Sequence, residues 1–285
     1  MADEIATTPE YLYHYTNVDA LALILKNRSI RLNSLDKMDD LQEQLSTDKQ
    51  NFGRFIFVSS WTDNEDEEIP MWRMYAPKQR GVRIKLPINP FVEYHPTAIE
   101  WAESFNITLN GDGNNYIGFS TIVPANDMVS GEFTLANYGY GKQLFAVEYT
   151  ADKELLEPQV LNISDSNFNV SLGKLGRYKN SYWAFQKEWR YKLMFLPIPM
   201  KKFVIEQLSG KNEELAKLQS LIVTGQAALP FNYFDLYIRD ECFADMSVML
   251  APDISESSKT FVELLIKEYN PNCKIIDSEL KSLMR

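Results

Sequence analysis

Two short tracts hold the residues whose types and spacing suit chemistry, and they lie far apart in the chain. Residues 11–16 read Tyr-Leu-Tyr-His-Tyr-Thr and include one of the two histidines in the sequence. Residues 186–192 read Gln-Lys-Glu-Trp-Arg-Tyr-Lys. A histidine can donate or accept a hydrogen bond, and an ionised glutamate can stabilise positive charge that develops in a transition state. A site built from both tracts requires that the fold bring them together, which the sequence alone leaves open.

The second tract has the alternation of a β-strand. Its aromatic and aliphatic residues point to one face, and the other face carries Gln186, Glu188, Arg190 and Lys192. Charges on a half-buried strand usually face water, so a solvated face and a substrate cleft are both open. Between residues 172 and 186, apolar residues recur at helical spacing, which predicts a helix that leads into the strand.

The composition limits the classes of function. The 285 residues include 29 basic and 39 acidic side chains, and the net charge of −10 gives no global support for binding a nucleic-acid backbone. The two cysteines are too few for a disulfide scaffold, and no spacing resembles a metal site. The first residues lack the basic and apolar regions of a signal peptide, and no apolar run is long enough to cross a membrane. We therefore expect a cytoplasmic protein without a membrane partner.

Periodicity and turn signals predict an α+β fold in a single domain over residues 1–285. Residues 87–140 are interrupted by prolines and glycines, so we expect an irregular elaboration of hairpins and loops there. No glycine-rich phosphate loop, HExxH motif or Gly-x-Ser-x-Gly motif is present. The main elements are expected as strands at 11–15, 29–32, 52–60, 81–86, 144–149 and 246–250, and as helices after residue 16 and at 71–76, 200–221 and 257–269.

The order of several tracts resembles a large family of uncharacterised bacterial proteins, whose genes often lie near phage-defence and toxin genes. The similar tracts are the Tyr-His-Tyr-Thr strand, Ser-Ser-Trp at 59–61, Trp-Arg-Met-Tyr-Ala at 72–76 and Glu-Trp-Arg at 188–190. The resemblance covers Leu12 to Leu86 and Lys179 to about Leu283, and it leaves the middle of the chain unmatched. By itself it implies little about activity.

A second resemblance, to ADP-ribosyltransferases of the His-Tyr-Glu type, implies an activity. A histidine on the first strand, then a helix, a serine- or tyrosine-bearing strand and helix, and a glutamate opening a late strand are similar to that layout. The chain also resembles the start of DNA-targeting ADP-ribosyltransferase toxins and of RNA 2′-phosphotransferases. The resemblance implies a split β-sheet core with flanking helices around a cleft for NAD+ as substrate.

For the first half of the chain, the resemblance implies the following NAD+ contacts. His14 would bind the adenosine ribose, and Thr16 together with Tyr15 would position the dinucleotide. Ser59 or Ser60 would support the floor of the cleft.

For the late strand and the helix at 71–76, the resemblance implies roles in catalysis and in binding the dinucleotide. Glu188 would bind the 2′-hydroxyl of the nicotinamide ribose and stabilise the charge that develops as nicotinamide leaves, and Gln186 would orient the acceptor. Tyr75 would stack on the nicotinamide or adenine, although packing into the core is an equal alternative. Arg73 and Arg190 would contact the pyrophosphate, because a planar guanidinium binds phosphate oxygens in a bidentate way.

The acidic turn at residues 36–43 also recurs in the uncharacterised family. A solvated surface is the usual place for such a charge run, and ion pairs from this turn are the alternative role for both arginines. The resemblance makes Asp40 and Glu43 candidates for the lining of the site.

Together these features predict a mono-ADP-ribosyltransferase that modifies RNA, DNA or protein, as a bacterial toxin or phage-defence effector with an antitoxin or regulatory partner. Two alternatives stay open. One is a catalytically inactive interaction module of the same fold. The other is a different enzyme on nucleotides, such as an NAD glycohydrolase or an enzyme similar to RNA 2′-phosphotransferases.

Overall fold

The structure is a computed structural model. It describes residues 8–48, 50–104, 108, 117–137, 143–164, 167–209 and 213–283. In chain order the elements are β1 (Tyr11–Asn17), α1 (Val18–Asn27), β2 (Ser29–Ser34), β3 (Ile56–Thr62), α2 (Ile69–Tyr75), β4 (Gly81–Pro87), α3 (Ala98–Ser104), α4 (Ala125–Met128), β5 (Thr134–Leu135), β6 (Leu144–Ala146), β7 (Glu148–Thr150), α5 (Lys153–Leu156), β8 (Leu161–Ser164), β9 (Asn167–Val170), β10 (Tyr178–Asn180), β11 (Glu188–Leu196), α6 (Met200–Leu208), α7 (Glu213–Val223), β12 (Tyr233–Tyr237), α8 (Asp240–Ala244), β13 (Ser247–Leu250), α9 (Glu256–Tyr269) and β14 (Lys274–Ile276).

The first unit, β1–α1–β2, forms where the sequence predicts it. The Asn17 side chain caps α1 by accepting a hydrogen bond from the backbone N–H of Ala20 at 2.9 Å. The apolar face of α1 packs into the main core through Leu21 and Leu25. Arg28 ends the helix in the left-handed conformation, with φ 49°, and turns the chain directly into β2.

Ten strands of the described chain form one mixed sheet, which confirms the predicted α+β class. Its order is β12-β2-β3-β1-β4-β13-β14, and β11 lies on the other edge of β3, where it also pairs with β5 and β6. All these pairs are antiparallel except that of β13 with β14. The sheet therefore places the strand that carries Glu188 beside the strand that carries the Ser-Ser-Trp tract.

The sheet divides along one edge of β3. Near its start, Phe57 and Val58 pair with β2, whereas Thr62 at its end pairs with Tyr13 of β1. The stretch between these two pairings, Ser59 to Trp61, has no paired strand on that edge among the described residues. Because β1 and β2 separate there, a gap opens in the middle of the sheet.

Apolar side chains fill both sides of this sheet. One cluster, which includes Leu193 and Phe195 of β11, lies beneath α1 and α9. A second cluster packs Phe55, Ile56 and Val58 against the helix α7. Both faces of β11 are therefore inside the protein.

The helix predicted between residues 172 and 186 is wrong. The chain there forms turns, the short strand β10 and a 3₁₀ helix over Ser181–Gln186. Tyr182, which helical spacing places on the buried face, is 88% exposed. The side chain of Asn180 caps the 3₁₀ helix by accepting a hydrogen bond from the backbone N–H of Tyr182. This local hydrogen bond favours the tighter turn over a regular α-helix.

The described parts of the region 87–140 pack onto the main sheet. They contain two short helices, α3 and α4, as well as loops, so the prediction of hairpins and loops was incomplete. Val123, Met128 and Leu135 are completely buried in the main core. Across the described residues, no helix combines the length and apolar character that crossing a membrane requires.

Candidate functional site

A small cavity of about 100 Å³ lies at the gap in the sheet and joins a groove of about 340 Å³. We call them the small cavity and the adjoining groove. The two share Tyr75, Met38 and Asp39 in addition to residues of β1 and β3. The walls of the small cavity are Tyr13, His14, Tyr15, Met38, Asp39, Ser60, Trp61, Met71, Tyr75, Lys179, Gln186, Glu188 and Arg190. The structure thus brings His14 and Glu188 to one cavity.

His14 occupies the gap between β1 and β2. Its Nδ1 lies 2.8 Å from the carbonyl oxygen of Ser60, one of the residues of β3 that has no strand partner on that edge. Burial lowers the pKa of His14, so the ring is neutral at pH 7. Because a carbonyl only accepts hydrogen bonds, Nδ1 carries the proton and Nε2 keeps a lone pair that can accept a hydrogen bond.

Glu188, the first residue of β11, belongs to a buried cluster of four charged side chains. Its Oε1 lies 2.6 Å from Nε of Arg190, and its Oε2 lies 3.0 Å from Nζ of Lys179. Both cations also reach Oε1 of Glu43, at 2.8 Å from Arg190 and 3.1 Å from Lys179. Two carboxylates and two cations therefore balance where the protein excludes water.

The cluster fixes the charge of Glu188. Burial alone would raise the pKa of this carboxyl, but Arg190 and Lys179 lower it to about 2. Burial likewise opposes the charge of Arg190, whereas Glu188 and Glu43 raise its pKa. A carboxylate has about four lone-pair sites, so two ion pairs leave Glu188 able to accept a further hydrogen bond from the cavity.

The backbone around the cluster holds it in place. Nη1 of Arg190 donates to the carbonyl of Gly176 at 3.0 Å, and Gly176 has a φ of 71°, a conformation that favours glycine. The backbone N–H of Glu188 donates to the hydroxyl of Tyr149 at 2.8 Å. Glu188 is thus fixed by both its side chain and its backbone.

Gln186 reaches the small cavity by a different route from the predicted one. It ends the 3₁₀ helix instead of opening the strand, because Lys187 adopts a left-handed conformation with φ 43° between them. Its side-chain oxygen accepts from Lys179 at 2.8 Å, and its amide nitrogen donates to the hydroxyl of Tyr75. Burial raises the pKa of Tyr75, so its hydroxyl stays protonated at neutral pH.

The remaining residues of the first tract and of β3 divide between the two spaces. Tyr15 lines the small cavity and packs edge-on against Trp72 at 4.8 Å between ring centroids. Thr16 and Ser59 line the adjoining groove, and Ser59 also accepts a hydrogen bond from the indole N–H of Trp61 at 2.9 Å. Ser60 lines both spaces.

Three residues expected at the site do not line either space. Arg73 is exposed on α2 and does not line either space. Asp40 lies outside both spaces and caps a 3₁₀ turn by accepting from the backbone of Gln42 at 3.0 Å. Glu43 is 4% exposed, which excludes a solvated position for this residue. It pairs with Arg190 and Lys179, which confirms the ion-pair alternative for Arg190.

The polar face of β11 is buried, which excludes the solvated face that the sequence left open as one alternative. Glu188 and Arg190 line the small cavity, whereas Lys192 donates to the backbone carbonyls of Gly173 at 2.8 Å and Leu175 at 2.6 Å. Burial, followed by the positive charge of Arg190, lowers the pKa of Lys192 to about 7. A strand buried on both faces can carry charges only if each finds a partner.

The sequence did not point to Lys179 or Tyr149, and it offered Asp39 only as a residue of the acidic turn and not as a wall of the cavity. Lys179 lies in a tract read as helix, and no local pattern distinguishes a buried lysine from a surface one. Its position seven residues before Gln186 and nine before Glu188 becomes meaningful only after the chain turns back at the 3₁₀ helix.

The described residues contain no cluster of histidine, cysteine, aspartate and glutamate suited to holding a metal ion. No family model, no curated sequence and no solved structure matches the chain.

Proposed function

We propose that the chain is an NAD+-dependent mono-ADP-ribosyltransferase that modifies a macromolecule. The observation that supports this proposal most strongly is the presence of His14 and an ionised Glu188 in one cavity, at the gap where β1 and β2 separate. This gap supports an arrangement similar to the split sheet of ADP-ribosyltransferases. The same proposal includes a role in a bacterial toxin or phage-defence system, with an antitoxin or regulatory partner.

The two spaces suit a dinucleotide in volume and chemistry. Ligand sites commonly measure about 300–1,000 Å³, and the groove and the small cavity together fall in that range. Lys37 lines the groove and is exposed, so it replaces Arg73 and Arg190 as the proposed pyrophosphate contact. The rings of Tyr75 and Trp61 line the small cavity and offer surfaces for the nicotinamide end.

In this proposal Glu188 accepts a hydrogen bond from the 2′-hydroxyl of the nicotinamide ribose. The bond between the ribose and nicotinamide breaks, and nicotinamide leaves as a neutral molecule with the electron pair of that bond. A nucleophile of the acceptor forms the new bond to the same ribose carbon, and its proton passes to solvent water. The negative charge of Glu188 favours the transition state, in which the ribose gains positive charge. The neutral His14 accepts a hydrogen bond from a ribose hydroxyl at Nε2.

One observation favours an inactive interaction module of the same fold. Both oxygens of Glu188 already contact cations, and the balanced cluster weakens the field that the carboxylate exerts on a neighbouring positive charge. An enzyme would need Glu188 to act while these ion pairs persist. The experiment below therefore distinguishes three outcomes: turnover of NAD+, binding of NAD+ without turnover, and no interaction with NAD+.

The test is to incubate the purified chain with labelled NAD+ in three separate reactions, which contain DNA, RNA or cellular protein as the acceptor. Label that enters one pool supports the transferase and identifies the acceptor class. Free ADP-ribose without transfer indicates an NAD glycohydrolase, and turnover only with 2′-phosphorylated RNA indicates a phosphotransferase. No turnover and no thermal shift with NAD+ contradicts the cleft assignment and favours the interaction module.

Glu188→Gln is the informative variant, and Glu148→Gln is its matched control. Both changes replace a carboxylate by an amide of the same shape, but Glu148 pairs with Arg177 on the surface, outside both spaces. The proposal expects Glu188→Gln to lose label transfer by about 100-fold or more, in the range found for removal of one electrostatic contact to a transition state. Equal transfer by both variants contradicts a role for Glu188.

A further inference from the structure

A large cavity lies away from the proposed NAD+ site. It has a volume of about 760 Å³ and is formed by β1, β4, β13, β14, the loop at 65–67 and the segment after β14. It shares only Tyr13 with the small cavity, and neither Glu188 nor His14 lines it. We call it the sheet-edge cavity. Its size is that of a site for a small organic molecule.

The strand register sets a row of polar side chains on its floor. Lys85 of β4 pairs with Tyr13 of β1 on one side and with Ser247 of β13 on the other. Ser247 in turn pairs with Lys274 of β14. Paired residues point to the same face of a sheet, so two lysines flank a serine across three adjacent strands. All four residues line the cavity.

Arg83, two residues before Lys85, is a buried cation that has no carboxylate partner among the residues that the structure describes. It is 4% exposed, and its Nη1 donates to the backbone carbonyl of Glu65 at 2.9 Å. The hydrogen bonds of its guanidinium within the described chain all come from Nη1, and its Nε and Nη2 make no hydrogen bond or ion pair there. These two nitrogens form the edge of a guanidinium that binds phosphate or carboxylate oxygens in a bidentate way.

Lys85 is also without an ion pair among the described residues. Its Nζ lies 3.9 Å from the centroid of the Tyr11 ring, and the guanidinium carbon of Arg83 lies 4.7 Å from that of Tyr13. The tyrosine faces stabilise these cations but supply no negative charge. Burying two neighbouring cations, even partly, costs free energy unless a counter-ion balances their charge.

The acidic residues of the cavity do not supply this counter-ion. The negative charge of Asp245 raises the pKa of Tyr11, and burial followed by the charge of Glu65 raises that of Tyr13, so each of these carboxylates lies near a tyrosine hydroxyl. Glu67 accepts hydrogen bonds from the indole of Trp72 at 2.8 Å and from Ser278 at 2.6 Å. The other carboxylates lie at the exposed rim, where water weakens a charge interaction about fourfold relative to the protein interior.

We infer that the sheet-edge cavity binds a small organic molecule through its phosphate or carboxylate groups, with Arg83 and Lys85 as the principal contacts. The hydroxyl of Ser247 and the ammonium of Lys274 complete the site on the side of β14. The inference does not depend on the proposed transferase activity. In this inference the ligand supplies the negative charge that Arg83 and Lys85 lack within the described chain.

The test uses pyrophosphate and citrate as separate probes, titrated into the purified full chain by calorimetry at constant ionic strength. Saturable binding of pyrophosphate alone indicates a phosphorylated ligand, and saturable binding of citrate alone indicates a polycarboxylate. Either affinity is expected to fall as salt increases. If neither probe binds at millimolar concentration, the inference is overturned.

Variants locate the bound probe. Lys85→Gln is expected to weaken binding by about tenfold or more, as loss of a charge-assisted hydrogen bond does, and Lys274→Gln by less. Arg83→Lys keeps the charge but removes the bidentate edge, so it too is expected to weaken binding, provided that circular dichroism and the melting temperature show a folded protein.

Two controls complete the design. Lys267→Gln removes an exposed lysine of α9 outside the cavity and is expected to bind like the wild type. Lys37→Gln removes a lysine of the adjoining groove. If Lys37→Gln abolishes binding while Lys85→Gln and Arg83→Lys leave it unchanged, the anion belongs to the groove and the inference is wrong.

Discussion

At the scale of single residues, the site depends on Glu188 being charged in the folded protein. Its pKa falls from 4.5 to about 2, although burial opposes the shift, because Arg190 and Lys179 stabilise the ionised form. As the pH falls, the unfolded chain therefore takes up the proton first. The stability that Glu188 contributes is complete above about pH 4.5 and is lost towards pH 2.

We therefore predict an acid-dependent loss of stability that one substitution removes. Between pH 5 and about pH 2 the free energy of unfolding of the wild type should fall by about 3 kcal/mol more than that of Glu188→Gln. Urea unfolding over this pH range measures the difference. Glu148→Gln, the exposed control, should keep the steep decline of the wild type. Parallel pH profiles for wild type and Glu188→Gln contradict the low pKa.

The pairing of Glu43 with Lys179 gives a second prediction at this scale. A double-mutant cycle with Glu43→Gln and Lys179→Met should give a coupling energy of about 1–3 kcal/mol, because the pair is buried at 3.1 Å within one network. The same cycle on the exposed pair of Glu148 and Arg177, which are 2.7 Å apart, should give less than about 1 kcal/mol. Similar couplings in both cycles would falsify the buried cluster.

At the scale of elements, the turn between the 3₁₀ helix and β11 brings Gln186 and Glu188 to one cavity. Lys187 adopts φ 43° there, a conformation that costs an L-residue with a Cβ roughly 1–2 kcal/mol. The turn thus stores a small strain at the entrance to the strand.

Lys187→Gly should therefore stabilise the protein by up to about 1 kcal/mol, since glycine adopts positive φ without steric cost but adds entropy to the unfolded chain. Lys187→Ala is the matched control, because it removes the same exposed side chain and retains the Cβ. It should leave the free energy of unfolding within about 0.5 kcal/mol of the wild type. Chemical denaturation compares the two, and an equal response to both substitutions excludes backbone strain at this turn.

Local sequence patterns predicted most of the helices and strands, but they did not predict which strands lie next to each other in the sheet. The strand β11 and the unit β1–α1–β2 follow from strict alternation and from the cap at Asn17. The helix before β11 was wrong because the spacing of its aromatic residues coincides with helical period while the side chain of Asn180 caps a tighter turn. Pairing between β3 and β11 is a long-range contact, so neither the burial of Arg190 nor the role of Lys179 was visible in the sequence.

At the scale of the whole molecule, the main core joins segments that are distant in the chain. Phe195 of β11 contacts both Phe57 of β3 and Phe231, which precedes β12, with ring centroids 5.6 Å and 5.2 Å apart. Phe133, from the region 87–140, packs against Phe195 at 5.7 Å. The elaboration therefore shares the core with the sheet that positions Glu188.

This sharing leads to the prediction that the chain unfolds as one unit. Met128 is fully buried in the main core, so Met128→Ala should lower the free energy of unfolding by about 2–5 kcal/mol. Ile163→Ala, at an exposed position of the β8–β9 hairpin, should change it by less than about 0.5 kcal/mol. If residues 87–140 formed a separate domain, Met128→Ala would shift only part of the transition. Coincident shifts of tryptophan fluorescence and far-ultraviolet circular dichroism would instead show that the elaboration and the site depend on one cooperative core.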